Sequence, residues 1–379
     1  MKIGFASRWD PLDKRSWSGT CYYSWQQLKR LGEVEVFHYK MPKLLQEWLT
    51  TQKSINRRWF KKNTAVEFLN AYSRYFSRQL SRDLQKRPVD ILFVSASSQM
   101  IAYVKTDIPI VYMTDATFQQ LQGYYLNFSN LAAYNVRQGI ALDKKAFHNT
   151  AHCILASDWC KDSAMNDYDI DPSKISVAPC GANLDSIPAA VIPEGTAADN
   201  CRLLFLGVEW ERKGGDIALD CYRALQQKGF HPSLHIIGCV PPHDLSAEKN
   251  ITIIPFLDKN KEQDFKQLNR ILLETDFLLL PTRAECAGVV FSEASAYGIP
   301  SITTDTGGVS SYVKDGINGY ALPLEGGGEA YAGKITLLLT DPAKNQILKQ
   351  SSRRFYEERL NWDAWGREFA QVAQKLVKG

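Results

Sequence analysis

The sequence predicts an α/β protein built as two doubly wound parallel units, and three observations carry that prediction. Short apolar runs alternate with helical patterns along most of the chain, as strands and covering helices do in a parallel sheet. The rhythm breaks over 186–200, SIPAAVIPEGTAADN, where prolines and small residues replace any period. At 379 residues the chain is also too long for one ordinary core. The expected division is a first domain over 1–190 and a second over 191–361, with a closing amphipathic helix over 362–379. Two such domains leave a cleft, and ligands of such sheets sit outside the carboxyl ends of the strands.

In chain order, KIGFAS opens the first domain as a strand. A polar loop and a helix from about Thr20 to Leu31 follow, and EVEVFHY then alternates like a strand. Residues 43–87 read as two or more helices rich in Lys, Arg and aromatic residues. Strand-like runs return at VDILFVSA, IPIVYMTD, HCILAS and KISVAP. After the break, RLLFLG, SLHIIG, ITIIPF, DFLLLP and PSITTD repeat the pattern with helices between several of them.

Composition narrows the class. Hydrophobic content of 45% and charged content of 23% describe a soluble globular chain. MKIGFASRWD meets Arg8 and Asp10 too early for a secretory leader, and no run approaches the ~18 apolar residues of a membrane span. The eight cysteines show no CxxC spacing, so buried thiols in a reducing cytoplasm are expected. Up to residue 195 there are 24 Lys and Arg against 18 Asp and Glu, whereas the remainder has 21 against 23. The first half therefore carries the basic bias, which serves an anionic partner or simply a solvated helix surface.

Five stretches at predicted strand ends hold the candidate chemistry. In ECAGVVFSE, Glu285 falls in a loop after DFLLLP and Glu293 about one and a half turns into the next helix. That places the two carboxylates on the order of 10 Å apart, suited to the two ends of an elongated polar ligand. The N–H groups of Ala287, Gly288 and Val289 open that helix and offer an anion site. In FLGVEWERKGGD, Arg212 and Lys213 stand before Gly214-Gly215, cations beside a helix start where a diphosphate fits. In SWSGT, Gly19 permits close approach of backbone to ligand, although the stretch is neither G-x-G-x-x-G nor G-x-x-x-x-G-K-[ST]. TDTGG makes another tight strand-to-helix turn at Gly307-Gly308. In IVYMTDAT, Asp115 ends a buried strand, placed either to orient or deprotonate a hydroxyl or to cap the helix that follows.

Together these motifs resemble the retaining glycosyltransferases of the GT-B fold, in the large family 4. Glu285 and Glu293 match the family's E-x7-E pair, and ASAYGIPSITTDTGGVSSYVKDGINGYALP, FLGVEWERKGG, SDWCKDSAMNDYDIDPSKISVAPCGANLD and SGT match around it. The likeness is strong from Cys201 to Pro323 and looser over 43–135. It implies two Rossmann-like domains facing a cleft, with NWDAWGREFAQVAQKL as the helix that crosses back to complete the first. It implies a nucleotide-sugar donor (UDP- or GDP-linked), whose sugar hydroxyls meet Glu285 and whose ribose meets Glu293. Lys213, Arg212 and the N–H groups at Ala287–Val289 would hold the diphosphate, with Gly19 close by, and the base would lie at Phe256 and Leu257. No metal and no cofactor are implied. Two departures stand out. Val208 occupies a position where many members have Arg. Thr114-Asp115 ends the strand where many have His, which makes Asp115 the catalytic candidate beside Glu285.

The expected reaction is transfer of a sugar, with retention, to a hydroxyl of a glycan or lipid-linked acceptor. Rival readings are another GT-B enzyme such as a phosphorylase, a non-catalytic nucleotide-sugar-binding subunit, and a nucleic-acid binder. The last rests only on NRRWFKKN, with no RNA-binding fold pattern beside it, so nucleic acid is not an expected partner. That basic-aromatic segment, within 43–87, suits an anionic membrane surface instead. The expected location is the cytoplasm, with a peripheral site at the inner face of the membrane.

Overall fold

A computed structural model describes residues 1–187 and 200–378 of the chain. Most of the expected 186–200 break therefore lies outside the described residues. By its internal contacts the protein forms two units, Met1–Ala178 with Gly366–Gly379, and Pro179–Trp365.

Unit 1 holds strands β1 (Lys2–Ser7), β2 (Glu33–Phe37), β3 (Ile91–Ser95), β4 (Ile110–Thr114), β5 (His152–Leu155) and β6 (Ile175–Val177). Its helices are α1 (Thr20–Leu31), α2 (Lys43–Trp59), α3 (Asn70–Lys86), α4 (Ser98–Ile101), α5 (Phe118–Leu121), α6 (Ala133–His148) and α7 (Asp158–Asn166). The strands run parallel in the order β2-β1-β3-β4-β5-β6. The chain winds outward from β1 to β2, then recrosses to β3, so the order reverses between β1 and β3. Central strands β3 and β4 are buried at every residue, as a sheet covered on both faces requires, whereas edge strand β2 keeps charged EVEVF half-exposed.

Unit 2 holds β7 (Asn200–Leu206), β8 (His231–Ile237), β9 (Ile251–Ile254), β10 (Phe277–Leu280), β11 (Ser301–Thr304) and β12 (Gly319–Leu322). Its helices are α8 (Gly215–Gln227), α9 (Glu262–Glu274), α10 (Val289–Ala296), α11 (Gly327–Leu339) and α12 (Pro342–Glu358). The parallel order is β12-β11-β10-β7-β8-β9, which reverses between β7 and β10. At the opposite end of β10, buried Asp276 accepts hydrogen bonds from Arg202 and from Lys349, whose ammonium is 3.1 Å away. That network ties strand to helix α12 and is structural.

Unit 2 begins at Pro179 because the following residues pack on it. Cys180 N–H donates to Tyr312, Ser292 donates to the Cys180 carbonyl, and the Trp362 indole donates to Asn183. The last helix, α13 (Trp362–Lys378), starts in unit 2 and continues in unit 1 from Gly366. In unit 1 its Phe369 meets Phe93 edge-on at 5.7 Å, and Phe93 meets Phe5 at 5.5 Å. Gly366 lies so close to α1 that a Cβ there would stand 2.2 Å from the Gln27 amide nitrogen. All eight cysteines are free, and all but Cys239 are buried.

Candidate functional site

In unit 2 the loops after β7 and β10 leave neighbouring strands at the point of reversal, where an open α/β sheet binds ligands. They are sewn together. Arg283 N–H donates to the Arg212 carbonyl at 2.8 Å, the Arg212 guanidinium donates to the Ala284 carbonyl at 2.8 Å, and Thr282 donates to both carbonyls. Arg283 also clamps Asp216 at the start of α8, and its guanidinium holds that carboxyl below the usual range. Gly308 of the next turn donates to the Glu285 carbonyl at 3.0 Å.

Each loop enters its helix through a left-handed glycine. Gly214 (φ 74°) precedes α8 and Gly288 (φ 82°) precedes α10, and neither helix has a side-chain cap. The positive φ and the crowding both require glycine, since a Cβ at Gly214 would meet the Pro281 carbonyl oxygen at 1.9 Å. Uncapped helix N-termini present N–H donors and the positive end of the dipole, which is an anion site.

Between these helix starts lie two ion pairs. Lys213, buried, contacts Glu285, also buried. Lys259 meets Glu293 at 2.5 Å and reaches the Asn183 carbonyl at 3.4 Å. The Lys213–Glu285 pair is taken out of water, and such a pair is costly to form and costly to break on one side, whereas Lys259 stays partly exposed. Neither pair spans the fold as the Asp276 network does; both sit at the ligand-binding ends of strands.

The structure thus gathers Arg212, Lys213, Glu285, Ala287, Gly288, Val289 and Glu293 around one pair of loops. Arg212 is occupied by Glu209 at 2.5 Å and by the Ala284 carbonyl, so it braces the loop. Phe256 is exposed and Leu257 half-buried in the loop after β9. Sequence reading stopped at Leu257 and missed Lys259, two residues further along the same loop. A lysine beyond a β-strand end, in LDKNKE, was the available signal.

Unit 1 repeats the topology at the β1/β3 reversal. Gly19 (φ 90°) precedes α1, again without a side-chain cap, and before it Trp17 and Ser18 are left-handed too, with φ of 48° and 56°. Asp115, just past β4, accepts from the Trp17 indole N–H at 3.2 Å. It does not cap α5, because Thr117 does so in a capping box with Gln120. Trp17 stacks on Trp9, with centroids 5.6 Å apart and planes within 7°. Neither Trp9 nor Trp17 was singled out in the sequence. Among the described residues no three His, Cys, Asp or Glu side chains group as metal ligands would.

Two six-stranded parallel sheets with flanking helices match the two Rossmann-like domains of GT-B glycosyltransferases. The chain belongs to the group 1, family 4 glycosyltransferases. The family described as Glycosyltransferase Family 4 matches residues 22–186, and that described as Glycosyl transferases group 1 matches 200–341. Sucrose-phosphate synthase from Thermosynechococcus elongatus superimposes with a TM-score of 0.71 at 16% identity, covering 100% of this chain and 99% of that one. Anabaena HepE, solved with UDP and glucose, gives 0.65 at 15% identity, covering 99% and 100%. The D-inositol 3-phosphate glycosyltransferase of Streptomyces bingchenggensis is 26% identical over 243 residues, 58% of this chain and 51% of the relative. The chain thus spans about half the length of the curated relatives it matches.

Proposed function

We propose that this chain transfers a sugar from a UDP- or GDP-sugar to a hydroxyl of a glycan or lipid-linked acceptor, with retention of anomeric configuration and without a metal. Unit 2 carries the donor and unit 1 the acceptor. The observation that carries the reading is the pair of contacts Lys213–Glu285, buried, and Lys259–Glu293, part-buried, beside the uncapped starts of α8 and α10. The relatives add support, since several related structures were solved with UDP.

In the mechanism that follows, donor binding draws the Lys213 ammonium from Glu285 onto the diphosphate, where the α10 N–H groups already point. Glu285 is released to accept hydrogen bonds from donor sugar hydroxyls. Glu293 accepts from the ribose hydroxyls, with Lys259 beside it. As the bond from the anomeric carbon to the phosphate oxygen breaks, the acceptor oxygen bonds to that carbon on the same face. The acceptor's proton passes to the leaving phosphate. Lys213 and the helix dipole stabilise the charge that develops there, the part a metal plays elsewhere. Asp115 orients the acceptor hydroxyl.

A thermal-shift screen against UDP, GDP, ADP and their sugar conjugates tests the donor. A ligand at 100 times its dissociation constant adds about 2.7 kcal/mol of stability. A selective shift that Glu293→Ala weakens supports the reading, and no shift with any nucleotide refutes it. NMR of the product's anomeric proton reads retention, and unchanged turnover in EDTA reads metal independence.

A peripheral site at the cytoplasmic face of the membrane is part of the same proposal. On α2, Leu44, Trp48, Ile55 and Trp59 fall within about 60° of one another at 3.6 residues per turn, and all are exposed, as is Phe60 beyond them. The same segment carries Lys43, Lys53, Arg57, Arg58, Lys61 and Lys62, of which Arg58 stands nearest the stripe and Lys53 and Arg57 on the opposite face. No described helix is long and apolar enough to cross a membrane. Co-sedimentation with phosphatidylglycerol vesicles should fall when Arg57, Arg58, Lys61 and Lys62 are replaced by Gln. Unchanged binding would end the membrane reading.

A further inference from the structure

Unit 1 holds two cavities. One, of about 170 Å³, lies at the β1/β3 reversal and is lined by Arg8, Trp17, Gln99 and Asp115 among others. The other, of about 480 Å³, lies among the covering helices, between α2, the first turn of α3 and α6. The two share no lining residue. The larger has the size of a small-molecule site, and neither the donor loops nor the strand ends of unit 1 account for it.

Three amides that line it are each held by one end only. Buried Asn56 donates through Nδ2 to Thr64 at 2.8 Å and to the Tyr134 hydroxyl at 2.6 Å, which leaves its Oδ1. Asn70 accepts through Oδ1 from the Tyr103 hydroxyl at 2.9 Å, which leaves its Nδ2. Gln138 accepts through Oε1 from the Asn70 N–H at 2.8 Å, which leaves its Nε2. An amide pinned at one end is oriented before a ligand arrives, and its other end keeps its hydrogen-bonding capacity. The cavity thus offers one fixed acceptor and two fixed donors. Gln52 and the rings of Trp48 and Tyr134 complete the polar and aromatic part of its wall.

None of the lining residues is charged. An anion would find no cation there, and the first N–H of α3 is already taken by Gln138. A cation would find no carboxylate. A hydrocarbon chain would cover Ile55 and Leu69 but strip water from the amides without replacing its hydrogen bonds. A sugar ring meets the whole set, because its hydroxyls both donate and accept and its C–H face packs on an indole or phenol.

We propose that this cavity binds a neutral sugar ring, as a tether separate from the site of transfer. Trp48 and Ile55 line it and also stand in the exposed stripe of α2. The cavity therefore adjoins the surface proposed to meet the membrane, where sugars are presented as glycolipid headgroups. The same ring also occurs in free glycans. Only the headgroup source rests on the membrane reading, and neither source rests on the donor reading.

Saturation-transfer NMR on the full chain without nucleotide tests the chemistry. The probes are the methyl glycosides of glucose, galactose and N-acetylglucosamine, with octanoate and methyl phosphate as hydrocarbon and anion controls. At least one glycoside should take up saturation at its ring protons. Gln52→Ala, Trp48→Ala and Gln138→Glu should each weaken it about fivefold. Gln138→Glu keeps the oxygen that serves Asn70 and replaces only the remaining nitrogen. Unchanged melting temperatures of Gln52→Ala and Trp48→Ala report that the fold is intact. Asp115→Asn, in the other cavity, should leave the affinity as it is. Saturation of none of the glycosides overturns the assignment. So does an affinity that falls with Asp115→Asn and ignores the other three substitutions, or binding of octanoate or methyl phosphate that those three abolish. Flotation with phosphatidylcholine vesicles, with and without monoglucosyldiacylglycerol, separates the sources. Binding that needs the glycolipid and fails in Gln52→Ala assigns a headgroup, and glycoside binding without that dependence assigns a free glycan.

Discussion

The two reversal points of this protein occupy the same place in their sheets and solve it with opposite chemistry. In unit 2 the loops are joined by backbone hydrogen bonds, opened by glycines, and filled by two lysine–glutamate contacts. In unit 1 the turn is held by a stack of tryptophans, two non-glycine residues are left-handed, and a buried amide oxygen lacks a donor. The difference teaches what each is built for. A site whose charges are already neutralised internally is suited to a charged ligand that exchanges with them. The unit 1 site combines flat rings and carboxylates with the Arg8 guanidinium.

The contrast breaks most visibly at Lys213. Lys213→Ala removes the cation proposed for the leaving diphosphate and leaves buried Glu285 without its ammonium. Turnover should fall by roughly 100-fold or more, and stability by about 3 kcal/mol. Glu285→Ala should cut turnover as well. The double variant is informative, because it removes both charges: it should recover most of the lost stability and none of the turnover. Thermal melts and initial rates on the three proteins read this. If the double variant were no more stable than Lys213→Ala, the pair would not be the mutually compensating unit described here.

Next in size is the glycine at the head of α8. Gly214→Ala sets a Cβ against the Pro281 carbonyl and demands a left-handed alanine, so it should cost on the order of 2–4 kcal/mol and separate the two loops. Nucleotide affinity should fall with it. A denaturant melt with an unchanged midpoint would show that the loops are not packed as described.

How much of this was legible in the sequence follows the same division. Glu285 and Glu293 lie in one nine-residue stretch, and the glycines beside them announce a strand-to-helix turn, so the donor loops could be read from local spacing. Lys259 was missed, because its position past a strand end was the only signal and it meets Glu293 from 34 residues away across a loop with no periodic pattern. The alternation of strands and helices gave away both sheets, since buried parallel strands leave uninterrupted apolar runs. The unit boundary at Pro179 depends on Cys180 and Asn183 meeting Tyr312 and Trp362, contacts made over more than a hundred residues. Gln99 is the extreme case. That one of its atoms lacks a partner is a property of tertiary packing and leaves no mark on the chain. Likewise the exposed stripe of α2 depends on which face meets the core at Leu49 and Asn56.

A smaller effect distinguishes the acids of the two units. Asp143 in unit 1 is buried against hydrogen-bond donors, among them the Phe118 N–H at 2.7 Å, rather than against a cation. Burial, opposed in part by that N–H, raises its carboxyl from 3.8 to about 6. Between those values the unfolded chain has released the proton and the folded chain still holds it. The contribution of Asp143 to stability is therefore full below 3.8 and is lost as pH rises toward 6. Asp143→Asn keeps an acceptor for Phe118 and removes the titration. The difference in unfolding free energy between pH 4 and pH 7 should shift by on the order of 2–3 kcal/mol in favour of pH 7. Identical pH profiles for the two proteins would mean that folding leaves the Asp143 carboxyl at its ordinary value.

The smallest expected change is the most specific to the comparison. Ser18 adopts φ 56° beside Trp17, a conformation that costs an L-residue roughly 1–2 kcal/mol. Ser18→Gly relieves that strain but loosens the unfolded chain by roughly 0.4–1 kcal/mol, so the net gain in stability stays below about 1 kcal/mol. In unit 2 the corresponding turn likewise holds a non-glycine residue, Glu209, at φ 66°. If the strained turn exists to fix the Trp17 indole on Asp115, Ser18→Gly should melt at the same temperature or slightly higher. Its turnover should fall, and its UDP affinity should hold. A variant that gains stability with no loss of turnover would show that the turn is strained for a reason unconnected with Asp115.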